Sequence, residues 1–361
     1  MLPDAAVMSA INDTITRVNE IYERDLGITL QLVSGDELFE KSNQGLNNDD
    51  AVALLAEVKD WIDARIADGV NGYDIGHMFS APPPPGAGIA FLGAVCNDSI
   101  KAGGVTGLPN PFDDPFDIDY VAHEIGHQFD AEHSFNGTTG SCGFGRWPPS
   151  AYEPGSGTTI MGYASLCGAE NLQNSSVATF HAGSIAEINS FVQTQASCFD
   201  AQIATAQDLI TPNTDPVITA AIANRAIPAN TPFILDGSSD PDPQGDTLTY
   251  QWDQLDAGCP TDSASFGTDN GSNALFRSYL PRAEGWRNFP ALGTQVRSRY
   301  DKSEVLPCQD RNLNFRLTLR DQRSGQDTGD MRLSVEKSAG PFEITNLDTP
   351  QAIVAGNGFD V

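Results

Sequence analysis

The chain has 361 residues, enough for two or three domains, and its 40% hydrophobic content supports packed cores and excludes a disordered polymer. Its 48 acidic residues against 20 basic ones give a net charge of −28, which repels nucleic acid and anionic membrane surfaces alike. No apolar run of about eighteen residues exists, so no membrane-spanning helix is expected.

Val7, Met8, Ile11, Ile15, Val18 and Ile21 recur at helical spacing and predict an amphipathic helix over residues 5–22, with a strand over residues 28–33. The basic-then-apolar pattern of a signal peptide is not found ahead of that helix. Asp49 and Asp50 offer an N-cap to a second helix, whose Val52, Leu55, Trp61, Ile62 and Ile66 face a sheet. Residues 73–79 read as the next strand, the proline run after Ala81 forces a loop, and residues 88–95 read as an apolar strand.

A helix bearing His123-Glu124-Ile125-Gly126-His127 comes next, followed by His133. Residues four apart on a helix lie one above the other, so His123 and His127 can face one ion while Glu124 reaches its open side. His133, six residues beyond His127, can join them only if the chain bends after the helix. Catalytic zinc keeps three protein ligands and a water whose pKa falls to about 7, and Glu124 would be the general base acting on it. A chance match on a helix, or a purely structural metal site, is the competing reading.

The pattern resembles the metzincin metallopeptidases, whose His-Glu-x-x-His-x-x-Gly-x-x-His precedes a methionine turn. Met161, in Thr159-Ile160-Met161-Gly162-Tyr163, fits that turn, and the resemblance implies an apolar floor beneath the ligands rather than a ligand. The text from Ala131 to Gly137 and from Glu153 to Tyr163 is similar to the bacterial reprolysin-like (adamalysin-type) branch, over roughly residues 1 to 205. The family glycine that permits a left-handed turn before the third histidine is replaced by Asp130. Asp enters that conformation more readily than most residues, so a turn residue is the favoured reading, with an acceptor orienting a ligand imidazole as the other. The family places a first strand, and usually a signal and propeptide, ahead of the first helix, so the chain reads as a fragment or an internally started one. In the family, the strand before the catalytic helix is the sheet edge to which peptide substrate adds.

Six cysteines fit an exported protein, and fifteen pairings are formally open. Similarity to reprolysins implies Cys96 with Cys198 and Cys142 with Cys167, leaving Cys259 with Cys308; free buried thiols are the alternative. His77 and His181 stand outside ligand spacing and are expected to be structural. Tyr163 holds the offset at which some metzincins place a tyrosine that aids the oxyanion, and packing beside the Met turn is its plainer role. Ile185, Ile188, Phe191 and Val192 predict a closing helix before Cys198.

After about Asp208 the composition turns to Thr, Pro, Asn and Asp, then to alternating strands. Residues 235–242 followed by Asp246 to Trp252 resemble PKD-type immunoglobulin-like modules, with the Trp in the core. Asp240, Asp242 and Asp246 could supply oxygen ligands to calcium, or simply shape an acidic turn. Residues 314–319 and 331–335 alternate as later strands.

The expected fold is an α/β (α+β) catalytic domain with a mixed sheet and an active-site helix, followed by an all-β immunoglobulin-like sandwich. Its divisions are a peptidase domain over residues 1–205, a linker over 206–215, the sandwich over 216–338 and the truncated start of a further β module over 339–361. Two functions are compatible with this reading. One is a secreted zinc endopeptidase acting on protein or peptide substrates, and the other a catalytically weak binding or adhesion protein that uses the peptidase fold as a scaffold. Retention of Glu124 favours the first, because a scaffold has no structural use for a general base.

Overall fold

The computed structural model describes residues 4–33, 46–47, 50–66, 68–80, 88–195, 198, 213–239, 241–296 and 300–342. Helix α1 (Asp4–Leu26) turns Val18, Ile21, Tyr22 and Leu26 into the largest core, where the Tyr22 hydroxyl donates to the carbonyl of Ala122 at 2.8 Å. Gly27, at φ 65°, stops the helix in a conformation that costs a glycine nothing. Residues 28–33 form no strand: the side-chain amide of Asn19 bonds both the N–H and the C=O of Leu30 at 2.8 Å, taking the place of a neighbouring strand.

Helix α2 (Ala51–Asp63) begins at Asp50, whose carboxylate accepts from the N–H groups of Val52 and Ala53. Leu54, Leu55, Val58, Trp61 and Ile62 are buried against Tyr73, Ala102 and Val105, whereas Val52, expected to face the sheet, is exposed.

Strands β1 (Met78–Phe79), β2 (Gly88–Ala90) and β3 (Gly104–Thr106) form a sheet in the order β1-β3-β2, with β1 parallel and β2 antiparallel to β3. Both strands expected here are shorter than their apolar runs. Beyond β2 the chain leaves the sheet because its N–H groups turn to the end of the histidine-bearing helix, Gly93 to the carbonyl of His127 at 3.0 Å and Val95 to that of Gln128 at 3.1 Å. Strand β2 remains at the edge of the three-stranded order.

The helix bearing His123 and His127 has three parts: α3 (Asp114–Phe116), a π-helical stretch (Asp117–Ala122) and α4 (His123–Gln128). After it come α5 (Cys142–Gly145) and α6 (Ala182–Thr194), the latter capped by His181, whose Nδ1 accepts from the N–H of Gly183. Ile185 and Ile188 of α6 close the main core over Ile160 and Met161. Disulfides join Cys96 to Cys198 and Cys142 to Cys167.

The remainder of the described chain is β structure. A four-stranded sheet runs β4 (Arg225–Pro228), β9 (Gln326–Glu336), β8 (Arg311–Arg320), β6 (Thr249–Gln254), and a two-stranded one pairs β5 (Phe233–Asp236) with β7 (Trp286–Phe289). Leu313, Phe315, Leu317 and Leu319, alternating along β8, share one core with Leu235, Trp252, Phe289 and Leu333. Trp252 is buried as expected, and its indole N–H donates to the carbonyl of Gly285 at 3.0 Å.

Cys259 and Cys308 are free thiols, which corrects their expected pairing. The Cys259 thiol is exposed, whereas Cys308 Sγ accepts from the neighbouring Gln309 Nε2 at 3.8 Å. The expected linker falls largely, and the expected further module almost wholly, outside the described residues. The β part is joined to the helical part by buried polar contacts. Arg320 and Asp25, both fully buried, form an ion pair at 2.9 Å, and Asp253 accepts from the N–H of Ala182 at 3.0 Å.

Candidate metal centre

The bend that the spacing of His133 requires is present and is built around Asp130. Helix α4 ends in a Schellman motif, with the N–H of Ala131 bonded to the carbonyl of Gly126 at 3.0 Å and that of Asp130 to the carbonyl of His127 at 2.8 Å. Asp130 itself holds φ 70°, the left-handed conformation normally filled by glycine. The chain therefore reverses and returns His133 to the face carrying His123 and His127.

The three imidazoles converge through one kind of atom. His123 Nε2 lies 3.3 Å from His133 Nε2, and His127 Nε2 lies 3.1 Å from it. Every Nδ1 meets a backbone carbonyl: His123 that of Ile160 at 2.7 Å, His127 that of Ala131 at 2.6 Å and His133 that of Gly145 at 2.6 Å. A carbonyl only accepts, so each neutral ring carries its proton on Nδ1 and presents an Nε2 lone pair to the common centre. Three acceptors face one another without a proton to share, an arrangement that a cation satisfies. The spacing fits zinc, since Zn–N bonds of about 2.0–2.1 Å in a tetrahedron place neighbouring nitrogens about 3.3 Å apart.

Burial keeps these rings neutral, lowering His123 well below its ordinary value, His127 to about 4 and His133 to about 3. No imidazole uses the Asp130 carboxylate, so the turn reading accounts for that residue and the ligand-orienting one finds no contact.

Glu124 is buried beside this centre, and desolvation pushes its carboxyl up to about 8. A bound cation acts the other way, favouring the carboxylate. Edge strand β2 runs against it: a Cβ on Gly88 would overlap Glu124 Oε1, so the strand approaches the carboxyl only because residue 88 has no side chain. Met161 lies fully buried beneath the helix. Tyr163 packs edge-on to His133, with ring centroids 4.4 Å apart, and stacks on Phe135 at 4.6 Å. Burial, then the charge of Glu124, raises its phenol to about 12, so it stays a hydrogen-bond donor.

Other predicted residues stand elsewhere. His77 bonds Gln128 Oε1 and Thr106 Oγ1, each at 2.8 Å, and His181 caps α6, so both are structural. Asp240 lies outside the described residues. Asp242 Oδ1 accepts from the N–H groups of Gln244 and Asp246, shaping a turn, and Asp246 pairs with Arg323 at 3.2 Å. The calcium expectation finds no support in that arrangement, whereas turn geometry accounts for Asp242.

Two contributors were missed in the sequence. Glu153, fully buried, accepts from Ser134 Oγ at 2.7 Å and from Thr158 N and Oγ1 at 2.7 and 2.9 Å, tying the His133 loop to the Met161 turn. Gln128 holds the carbonyl of Gly76 at 2.9 Å and so anchors α4 to the sheet. Neither belongs to a spacing motif, because the links that matter, Glu153 to Ser134 and Gln128 to Gly76, join segments apart in sequence.

No curated protein matches the chain. Among solved structures, a nucleoside hydrolase-related hypothetical protein from Saccharophagus degradans, described as associated with carbohydrate metabolism, is 20% identical with a TM-score of 0.23. The match covers 42% of this chain and 32% of that one, so the matched part spans about a third of that protein's length, and a likeness so slight carries no argument. The sequence model of metallo-peptidase family M12B, reprolysin-like, matches residues 3–215, which contain the whole imidazole cluster, Glu124 and the Met161 turn. That is well over half of the chain, and the chain belongs to the reprolysin-like M12B metallopeptidases.

Proposed function

We propose that the protein is a secreted zinc endopeptidase in which His123, His127 and His133 hold the metal and Glu124 is the general base. The convergence of three Nε2 lone pairs beside a buried carboxyl carries this reading. Zinc, when bound, polarises the scissile carbonyl and lowers the pKa of water to about 7. The substrate chain adds antiparallel to the free edge of β2, main chain to main chain, which places its scissile bond in front of Glu124. Glu124 accepts a proton from the attacking water and returns it to the leaving amine. The Tyr163 phenol, held protonated and with its ring edge-on to His133, is a candidate donor to the developing oxyanion, and its stacking on Phe135 favours a packing role. Two disulfides favour an oxidising, extracytoplasmic setting. The two β sheets with their shared core and buried Trp252 support an immunoglobulin-like module from about residue 216 to 338.

Metal content and casein hydrolysis, measured together on the purified chain, test the proposal. About one zinc per molecule and activity abolished by chelation are expected. Glu124→Ala should keep the metal yet lose turnover by about a hundredfold or more, whereas His127→Ala should lose the metal. Activity that survives without metal sinks the zinc reading, and a zinc-loaded but inert wild type favours the scaffold.

A further inference from the structure

The loop carrying the third imidazole is held from outside the helical part. His133 donates to the carbonyl of Gly145, so its orientation depends on where that carbonyl lies. The next residue, Arg146, donates from Nε and Nη2 to Asn136 Oδ1 at 3.0 and 2.9 Å, and from Nη2 to the carbonyl of Gly258 at 2.7 Å. Asn136, fully buried three residues beyond His133, donates its side-chain N–H to the carbonyl of Cys259 at 3.0 Å, and its own carbonyl accepts from the N–H of Thr261 at 3.3 Å. Thr138 Oγ1 donates to the carbonyl of Thr261 at 2.9 Å, and Gly137 pairs with Thr261 as an isolated parallel bridge. Residues 258–261 thus serve the His133 loop as a short extra strand.

Apolar packing holds this loop weakly. Its buried hydrophobic residues, Phe135 and Cys142, join only Cys167 and the partly buried Tyr163 in a cluster separate from the main core. The Cys142–Cys167 disulfide and bonds to residues 153–170 hold one side of it, and four hydrogen bonds to residues 258–261 hold the other.

We propose that the β part completes the metal site: residues 258–261, acting through Asn136 and Arg146, fix the Gly145 carbonyl and hence the third imidazole. Asn136 and Arg146 are positioning residues, and the β part belongs to the catalytic unit rather than hanging from it. This inference rests on the zinc reading above. It makes the metal geometry depend on a side chain that touches no imidazole.

The test uses the full chain, with zinc affinity measured by chelator competition and ligand geometry by the visible spectrum of the cobalt(II)-substituted protein. Arg146→Ala is expected to weaken zinc binding about tenfold or more and to alter the cobalt bands. Arg146→Lys, which can reach one of the two acceptors, should recover part of both. Gly258→Val perturbs the seam from the other side, because a Cβ there overlaps the Ser272 carbonyl, and should change the spectrum in the same sense. It also decides the matter if Arg146→Ala does not fold. Wild-type affinity and spectrum in folded Arg146→Ala, or in Gly258→Val, overturn the proposal while leaving the zinc reading intact, provided His127→Ala abolishes binding. A wild type without zinc affinity removes both readings.

Discussion

Gly126 and Met161 fit each other with no room to spare: a Cβ on Gly126 would lie 2.6 Å from the Met161 sulfur. The second variable residue of the zinc motif is thus small because the methionine beneath the helix occupies the space a side chain would need. Gly126→Ala should destabilise the protein by about 1–2 kcal/mol, overpacking outweighing the roughly 1 kcal/mol that alanine adds to a helix. In a Met161→Ala background the same change should cost nothing, and a thermal-unfolding double-mutant cycle reads the difference.

Asp130 sits at φ 70° with no bond to an imidazole. Asp130→Gly should leave zinc affinity unchanged and stability equal or higher by up to about 1 kcal/mol. Asp130→Val, β-branched at positive φ, should lower stability by about 1–2 kcal/mol and weaken zinc binding. A zinc titration showing clearly weaker binding in the glycine variant would refute the turn reading.

The Asp25–Arg320 pair should be among the most costly to break. Asp25→Asn leaves the Arg320 guanidinium buried without its counter-charge, which costs about 3–5 kcal/mol. Burial pushes the Asp25 carboxyl up, but Arg320 and Arg24 outweigh it and hold the carboxyl below the ordinary 3.8. A depressed pKa means the stabilisation is fully present above 3.8 and is lost as the pH falls below it. Denaturant titrations should therefore show a wild-type to variant gap that is constant at neutral pH and shrinks in acid.

Tyr163→Phe keeps the stack on Phe135 and should leave melting temperature and zinc affinity unchanged, whereas Tyr163→Ala should cost about 3 kcal/mol. Peptidase assays on the same pair decide its second role. A fall in turnover beyond about tenfold in Tyr163→Phe would make the hydroxyl an oxyanion donor.

The sequence by itself determined the elements whose cause is local. Helices α1, α2 and α6 follow from apolar spacing and the Asp50 cap, β8 and β9 from alternation, and the positions of His123, Glu124 and His127 from a four-residue period. The bend at Asp130 was also legible, because only a reversal there lets His133 rejoin the others. Tertiary structure alone decided the rest. The strand expected over residues 28–33 was replaced by a side chain eleven residues away, and β2 was cut short when its N–H groups found the end of α4. Glu153, Gln128 and Arg146 carry no motif, since a buried carboxylate, amide or guanidinium is defined by the donors and acceptors around it, and those come from distant segments. Spacing along the chain encodes which groups can face one ion; which carbonyl fixes each imidazole, and which segment holds that carbonyl, depends on contacts made only once the two parts have packed together.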